Sequence, residues 1–101
     1  MTLLTKQLRE ALPPLGSTEE QGLDALAVVK FFTPDGGWTW FASEFDGDDI
    51  FFGYVAGIVP EFGTFRLSEI AGIRGALGLP VERDRFFRPT PLRELVERYG
   101  R

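Results

Sequence analysis

Apolar positions gather into three runs rich in β-branched and aromatic residues: AVVKFFT (Ala27–Thr33), WTWFASEF (Trp38–Phe45) and IFFGYVAGI (Ile50–Ile58). Each has strand length and ends in turn-forming residues, which predicts three consecutive strands. Thr33-Pro34-Asp35-Gly36-Gly37 joins the first two. Proline presets φ at the second turn position, aspartate can bond its own backbone, and glycine takes a left-handed position cheaply. Asp46-Gly47-Asp48-Asp49 predicts a second tight turn, and Pro60-Glu61-Phe62-Gly63 a third. Thr64–Leu67 then adds a short fourth strand, giving an antiparallel meander.

Helical spacing appears at the two ends. Leu3, Leu4, Leu8, Ala11 and Leu12 predict a short helix over residues 5–11, with Thr5 as N-cap and Pro13-Pro14 as its stop. The polar stretch Gly16–Asp24 reads as a loop. Ser68 opens a second short helix whose apolar side is Ile70, Ala71 and Ile73. Val81–Phe87 (VERDRFF) reads as an extended segment or edge strand. Thr90-Pro91 starts a last helix as N-cap and first helical residue, with Leu92, Leu95, Val96 and Tyr99 as its stripe. The expected fold is a single α+β domain, residues 1–101, with a meander of about four to five strands and three short helices.

Nine of the fourteen aromatic residues lie between Phe31 and Tyr54. Strict alternation sets Trp38, Trp40 and Ala42 on one face, against Thr39, Phe41, Ser43 and Phe45 on the other. Neither face is polar throughout, whereas a sheet with one solvated face alternates cleanly. Either the sheet is a core covered twice, or one aromatic face docks another molecule, a partner or a twin subunit.

Composition narrows the chemistry. With no Cys and no His, the chain lacks disulfides, thiol nucleophiles, thiolate zinc sites and a side chain that titrates near neutrality unaided. No apolar run reaches membrane-spanning length, and the start lacks the apolar core of a secretory signal, so a cytoplasmic protein without membrane partners is expected. The net charge of −4 is divided unevenly. Residues 1–62 carry three basic and ten acidic side chains, and residues 63–101 carry eight arginines and five acids.

Two surfaces emerge as candidates. The acidic hairpin Glu44, Asp46, Asp48 and Asp49, beside Trp38 and Trp40, is a partner-binding surface. Carboxylates could also hold a hard cation, but their spacing does not match a calcium loop and more often belongs to a solvated turn. No metal, cofactor or catalytic residue is assigned, and a non-enzymatic role is expected. Arg83, Arg85 and Arg88 beside Phe86 and Phe87 form the alternative, a nucleic-acid patch that Glu82 and Asp84 dilute.

The pieces FFTPDGGWTW, EFDGDDIFFG and IRGALGLPVERDRFF, together with the start LLTKQLREALPPL, resemble the small bacterial family DUF2958 over nearly the whole chain. Ala76 stands where that family commonly has Pro, and Gly16 where it often has Tyr. The resemblance implies no established activity and no catalytic residues. It implies an association with plasmids and other mobile elements, and so an accessory protein that binds and inhibits host-defence or DNA-processing machinery, of anti-CRISPR or anti-restriction type. An acidic front half could mimic DNA phosphates in that role.

Overall fold

A computed structural model describes residues 2–100. The elements in chain order are α1 (Lys6–Ala11), a 3-10 turn (Glu19–Asp24), β1 (Leu26–Ala27), β2 (Val29–Phe32), β3 (Thr39–Phe45), β4 (Ile50–Ala56), β5 (Glu61–Arg66), α2 (Leu67–Gly72), β6 (Glu82–Arg83), β7 (Thr90–Pro91) and α3 (Leu92–Tyr99). Strands β2 to β6 form an antiparallel sheet in the order β5-β4-β3-β2-β6, with β2 to β5 as the expected meander. β1 and β7 pair separately. The fold is therefore α+β. Among the described residues, no helix is long and apolar enough to cross a membrane.

One irregularity sets which side chains face which way. β3 pairs β4 in register from Thr39↔Ala56 to Ala42↔Gly53, then slips so that Glu44 faces Phe52 and Phe45 faces Phe51. The extra residue is Ser43, fully buried, with its hydroxyl donating to the Phe52 carbonyl at 3.2 Å. A bulge of one residue reverses the alternation beyond it. Phe45 thus joins the face of Trp40 and Ala42, where it stacks on Phe51 at 4.6 Å, and leaves the face of Phe41 on which strict alternation would set it. Glu44 takes the opposite face.

Both faces are covered, which resolves the aromatic block as mostly core. On the first face, Phe31, Trp40, Phe45, Phe51 and Phe65 pack with Leu4 and Leu12, which flank α1, and with Ile70 from α2. On the second, Phe41 and Tyr54 pack with Ala25, Ala27 and the α3 residues Leu92 and Leu95. Phe41 also meets Tyr99 at 5.2 Å and Phe87 at 5.8 Å. Each fully buried phenylalanine contributes roughly 1.5–3 kcal/mol of transfer free energy. Of the two tryptophans, Trp40 is only 5% exposed and belongs to the core. Trp38 is 42% exposed, stacking over Trp40 at 5.9 Å and closing on Gly57, where an added Cβ would lie 2.2 Å from its ring.

Several boundaries differ from expectation for local reasons. The first run breaks at Val28: Leu26 and Ala27 pair with Pro91 and Thr90, while Val29 onward joins the main sheet. Thr90-Pro91 is consequently strand, and Leu92 opens the last helix with its N–H donating to the Ala25 carbonyl at 2.9 Å. The third turn lies earlier, over residues 57–60, so Glu61–Gly63 belong to β5. Only Glu82 and Arg83 of the VERDRFF segment pair with β2. The loop predicted over Gly16–Asp24 winds into the 3-10 turn. Asp35 reaches beyond its own turn, accepting from Leu77 N at 2.6 Å and Leu79 N at 3.2 Å, which pins the 75–79 loop to the hairpin. Thr5 does cap α1, accepting from Leu8 N at 3.2 Å.

Two glycines facing each other across β4 and β5 test this register. A Cβ at Gly53 would lie 1.8 Å from the Phe41 carbonyl oxygen, while one at Gly63 meets nothing within 4 Å. Gly53→Ala is expected to cost at least about 3 kcal/mol in urea unfolding, and Gly63→Ala to stay within about 0.5 kcal/mol. Equal effects would contradict the pairing.

Candidate functional site

The two edges of the main sheet are unlike. β6 is two residues long and charged, a form of edge that discourages further pairing. β5 has six residues, no proline and, among the described residues, no strand along its outer side. The Leu67 N–H points inward to the Asp49 carbonyl at 2.8 Å. By the alternation of an antiparallel ladder, the peptide groups of Phe62 and Thr64 therefore point outward. This edge is an open template.

A hollow flanks β5 on each face. On the second face a pocket of about 540 Å³ is walled by Leu15, Leu23, Phe52 and Phe62, with Glu44 and Glu19 as its charged lining. On the first face, a smaller hollow of about 330 Å³ lies between Trp38, Val55, Phe65 and Ile73, with Glu61 and Glu69 as its charged lining. Thr64 lines both. Phe62 is half exposed and packs on Tyr54 at 5.0 Å and on Phe52 at 6.5 Å, so its ring is held in place.

Glu44 builds the larger pocket. The bulge turns it onto the second face, where it is 4% exposed. One carboxylate oxygen accepts from Gly16 N at 2.7 Å, and the other from Thr18 N at 3.0 Å and from the Thr18 hydroxyl. These bonds strap the 16–18 loop across the sheet, and the 3-10 turn after it supplies Leu23 to the wall. Burial pushes the Glu44 carboxyl up, but the bonds from Thr18 and Gly16 together outweigh it and hold the group below its ordinary 4.5.

The expected acidic surface is thus not one surface. Glu44 is buried and bonded inward. Asp46 accepts from the amides of Asp48, Asp49 and Ile50 at 2.8–3.0 Å, closing its own turn. Asp49 accepts from Ser68 N at 2.8 Å and Ser68 Oγ at 2.6 Å, with Arg66 at 3.7 Å. Asp48 is an exposed side chain of the turn. Among the described residues, no three acidic groups converge to hold a metal ion. Trp38 sits at the opposite end of β3 from this turn, roughly 25 Å away at strand rise. The tryptophans and the acidic hairpin are therefore not brought together.

The basic candidates divide as well. Arg83 donates to the Thr2 carbonyl and to the Leu3 carbonyl at 3.2 Å, bracing the amino-terminal segment. Arg85 and Arg88 are exposed on either side of Phe86, which is 86% exposed. Phe52, Phe62, Leu15 and Leu23 line the larger pocket, and the sequence marks none of them beyond placing Phe62 soon after a strand.

The chain is thus an α+β domain with an open sheet edge between two hollows. The family model for DUF2958, a protein family of unknown function, matches residues 3–98, and the chain belongs to that family. No curated protein and no solved structure matches it.

The carboxylates predict an acid limit. Asp46 is lowered chiefly by the Asp48 amide and Asp49 chiefly by the Ser68 hydroxyl, each below its ordinary 3.8. The folded state then binds fewer protons than the unfolded chain. The stability these groups add is full above pH 4.5 and is lost as pH falls through their depressed values. Glu44→Ala, which strands the Gly16 and Thr18 donors, is expected to cost about 1.5–3 kcal/mol at neutral pH and to flatten the loss below pH 4.5. Thermal unfolding across pH 2.5–7 checks this, about the range over which carboxylates titrate. An unchanged pH profile would contradict the strap.

Proposed function

We propose that this protein is a non-catalytic interaction module of the cytoplasm that takes an extended segment of a partner protein along β5. The observation that supports this most is the open six-residue edge with a hollow on each face. Strand addition obtains affinity from main-chain hydrogen bonds and specificity from pockets for alternate side chains. The outward peptide groups of Phe62 and Thr64 provide the first, and the two hollows provide the second. The mobile-element role implied by the family resemblance, binding and inhibiting a defence or DNA-processing protein, would be exercised through this edge.

A second reading, nucleic-acid binding, is favoured by Phe86 standing exposed between Arg85 and Arg88. An exposed ring flanked by arginines suits base stacking beside phosphate contacts. It predicts binding of single strands that weakens steeply with salt.

Thr64→Pro tests the first reading. Proline removes an outward donor and is tolerated on edge strands, so the fold should persist. A partner captured from nuclease-treated host lysate should protect the Phe62 and Thr64 amides from exchange, and Thr64→Pro should lose it by tenfold or more, on the order of one strong contact. Equal capture by the variant, or protection confined to Arg85–Arg88, would overturn it.

A further inference from the structure

We propose that the pocket beside β5 receives an arginine or lysine side chain of the paired partner strand, an inference that rests on the edge-pairing reading above. The walls Leu15, Leu23, Phe52 and Phe62 are apolar, and the charged lining is Glu19 and Glu44, both acidic. No basic side chain lines the pocket among the described residues. A long cationic side chain buries its stem on apolar surface and keeps its charge at the tip, which matches apolar walls with a carboxylate among them. An apolar residue alone would leave Glu44 desolvated without a counter-charge, and an acidic residue would meet like charge.

The acceptor capacity agrees. A carboxylate offers about four acceptor positions. Glu44 uses three, for Gly16 N, Thr18 N and Thr18 Oγ1, and a free one remains on the oxygen that serves Gly16 alone. The rings of Phe52 and Phe62, 14° from parallel, add faces that attract a cation. Glu44 is also held rigidly by its loop bonds, so no ordering is required of it when the cation arrives.

Strand geometry fixes the accompanying pattern. Side chains of an added strand alternate between faces. A residue that enters this pocket is therefore flanked by neighbours pointing to the hollow at Trp38, Val55 and Ile73, which Glu61 and Glu69 also line, so that apolar or basic residues suit it. The recognised segment sets a cationic residue between neighbours that are β-branched, apolar or basic.

Blocked pentapeptides Thr-Val-X-Val-Thr, with X as Arg, norleucine or Glu, test this by amide NMR titration of the intact protein. The Arg peptide is expected to bind roughly tenfold tighter than the norleucine peptide, with the Glu peptide weakest. Its shifts should fall on Phe62 and Thr64 and also on Gly16 and Thr18. Glu44→Gln should bring the Arg peptide down to the norleucine level. Arg and norleucine binding equally at β5 would overturn cation recognition and leave the edge reading intact. No peptide shifting the β5 amides would overturn the edge reading, and this inference with it. n-Butylguanidine is the last arm: if it shifts Gly16 and Thr18 while no peptide touches β5, the occupant is a free small cation and the partner-strand assignment is wrong.

Discussion

One inserted residue in β3 governs most of this molecule. Ser43 adds a position to the strand without a partner across it, and everything beyond it changes face. Phe45 gains the Phe51 ring and completes the first core. Glu44 gains the second face, where a buried carboxylate stays charged only with donors or a counter-charge around it. The 16–18 loop provides those donors, and in doing so roofs the sheet with the segment that walls the pocket. The bulge thus links packing on one face to a cavity on the other.

The rest of the sheet is economical with its surface. Two short helices and their flanks cover one side, and α3 with the β1–β7 pair covers the other. β6 ends the sheet in a charged two-residue strand whose Arg83 is committed to backbone carbonyls. β5 ends it in six residues with no strand alongside among the described residues. A protein that covers two aromatic faces and blunts one edge, yet leaves the other bare between two hollows, concentrates its unsatisfied bonding capacity in one place. That concentration is what the proposed partner strand would meet.

Much of the fold was legible in the sequence because its signals are local. The turn at Pro34–Gly37, the acidic turn closed by Asp46 and the Thr5 cap each depend on residues a few positions apart. The site was not, because its determinants are distant or unmarked. Nothing in WTWFASEF distinguishes a bulge from even alternation, and the Glu44–Gly16 bond spans 28 positions. Pro60-Glu61-Phe62-Gly63 has turn composition, yet three of its residues are strand, since the pairing of β4 continues to Glu61. Trp38 and Trp40 lie on one face two residues apart, and only the position of Trp38 at the sheet's end separates a half-exposed ring from a core one.

The central claim is that β5 is an unfilled template in the free protein. Native-state hydrogen exchange of the isolated chain, read amide by amide, tests it directly. The Phe51 and Gly53 amides, inside the sheet, should exchange slowly, while those of Phe62 and Thr64 exchange at rates near an open peptide. Strong protection at Phe62 and Thr64 without any partner present would mean that the edge is already occupied, and would contradict the account.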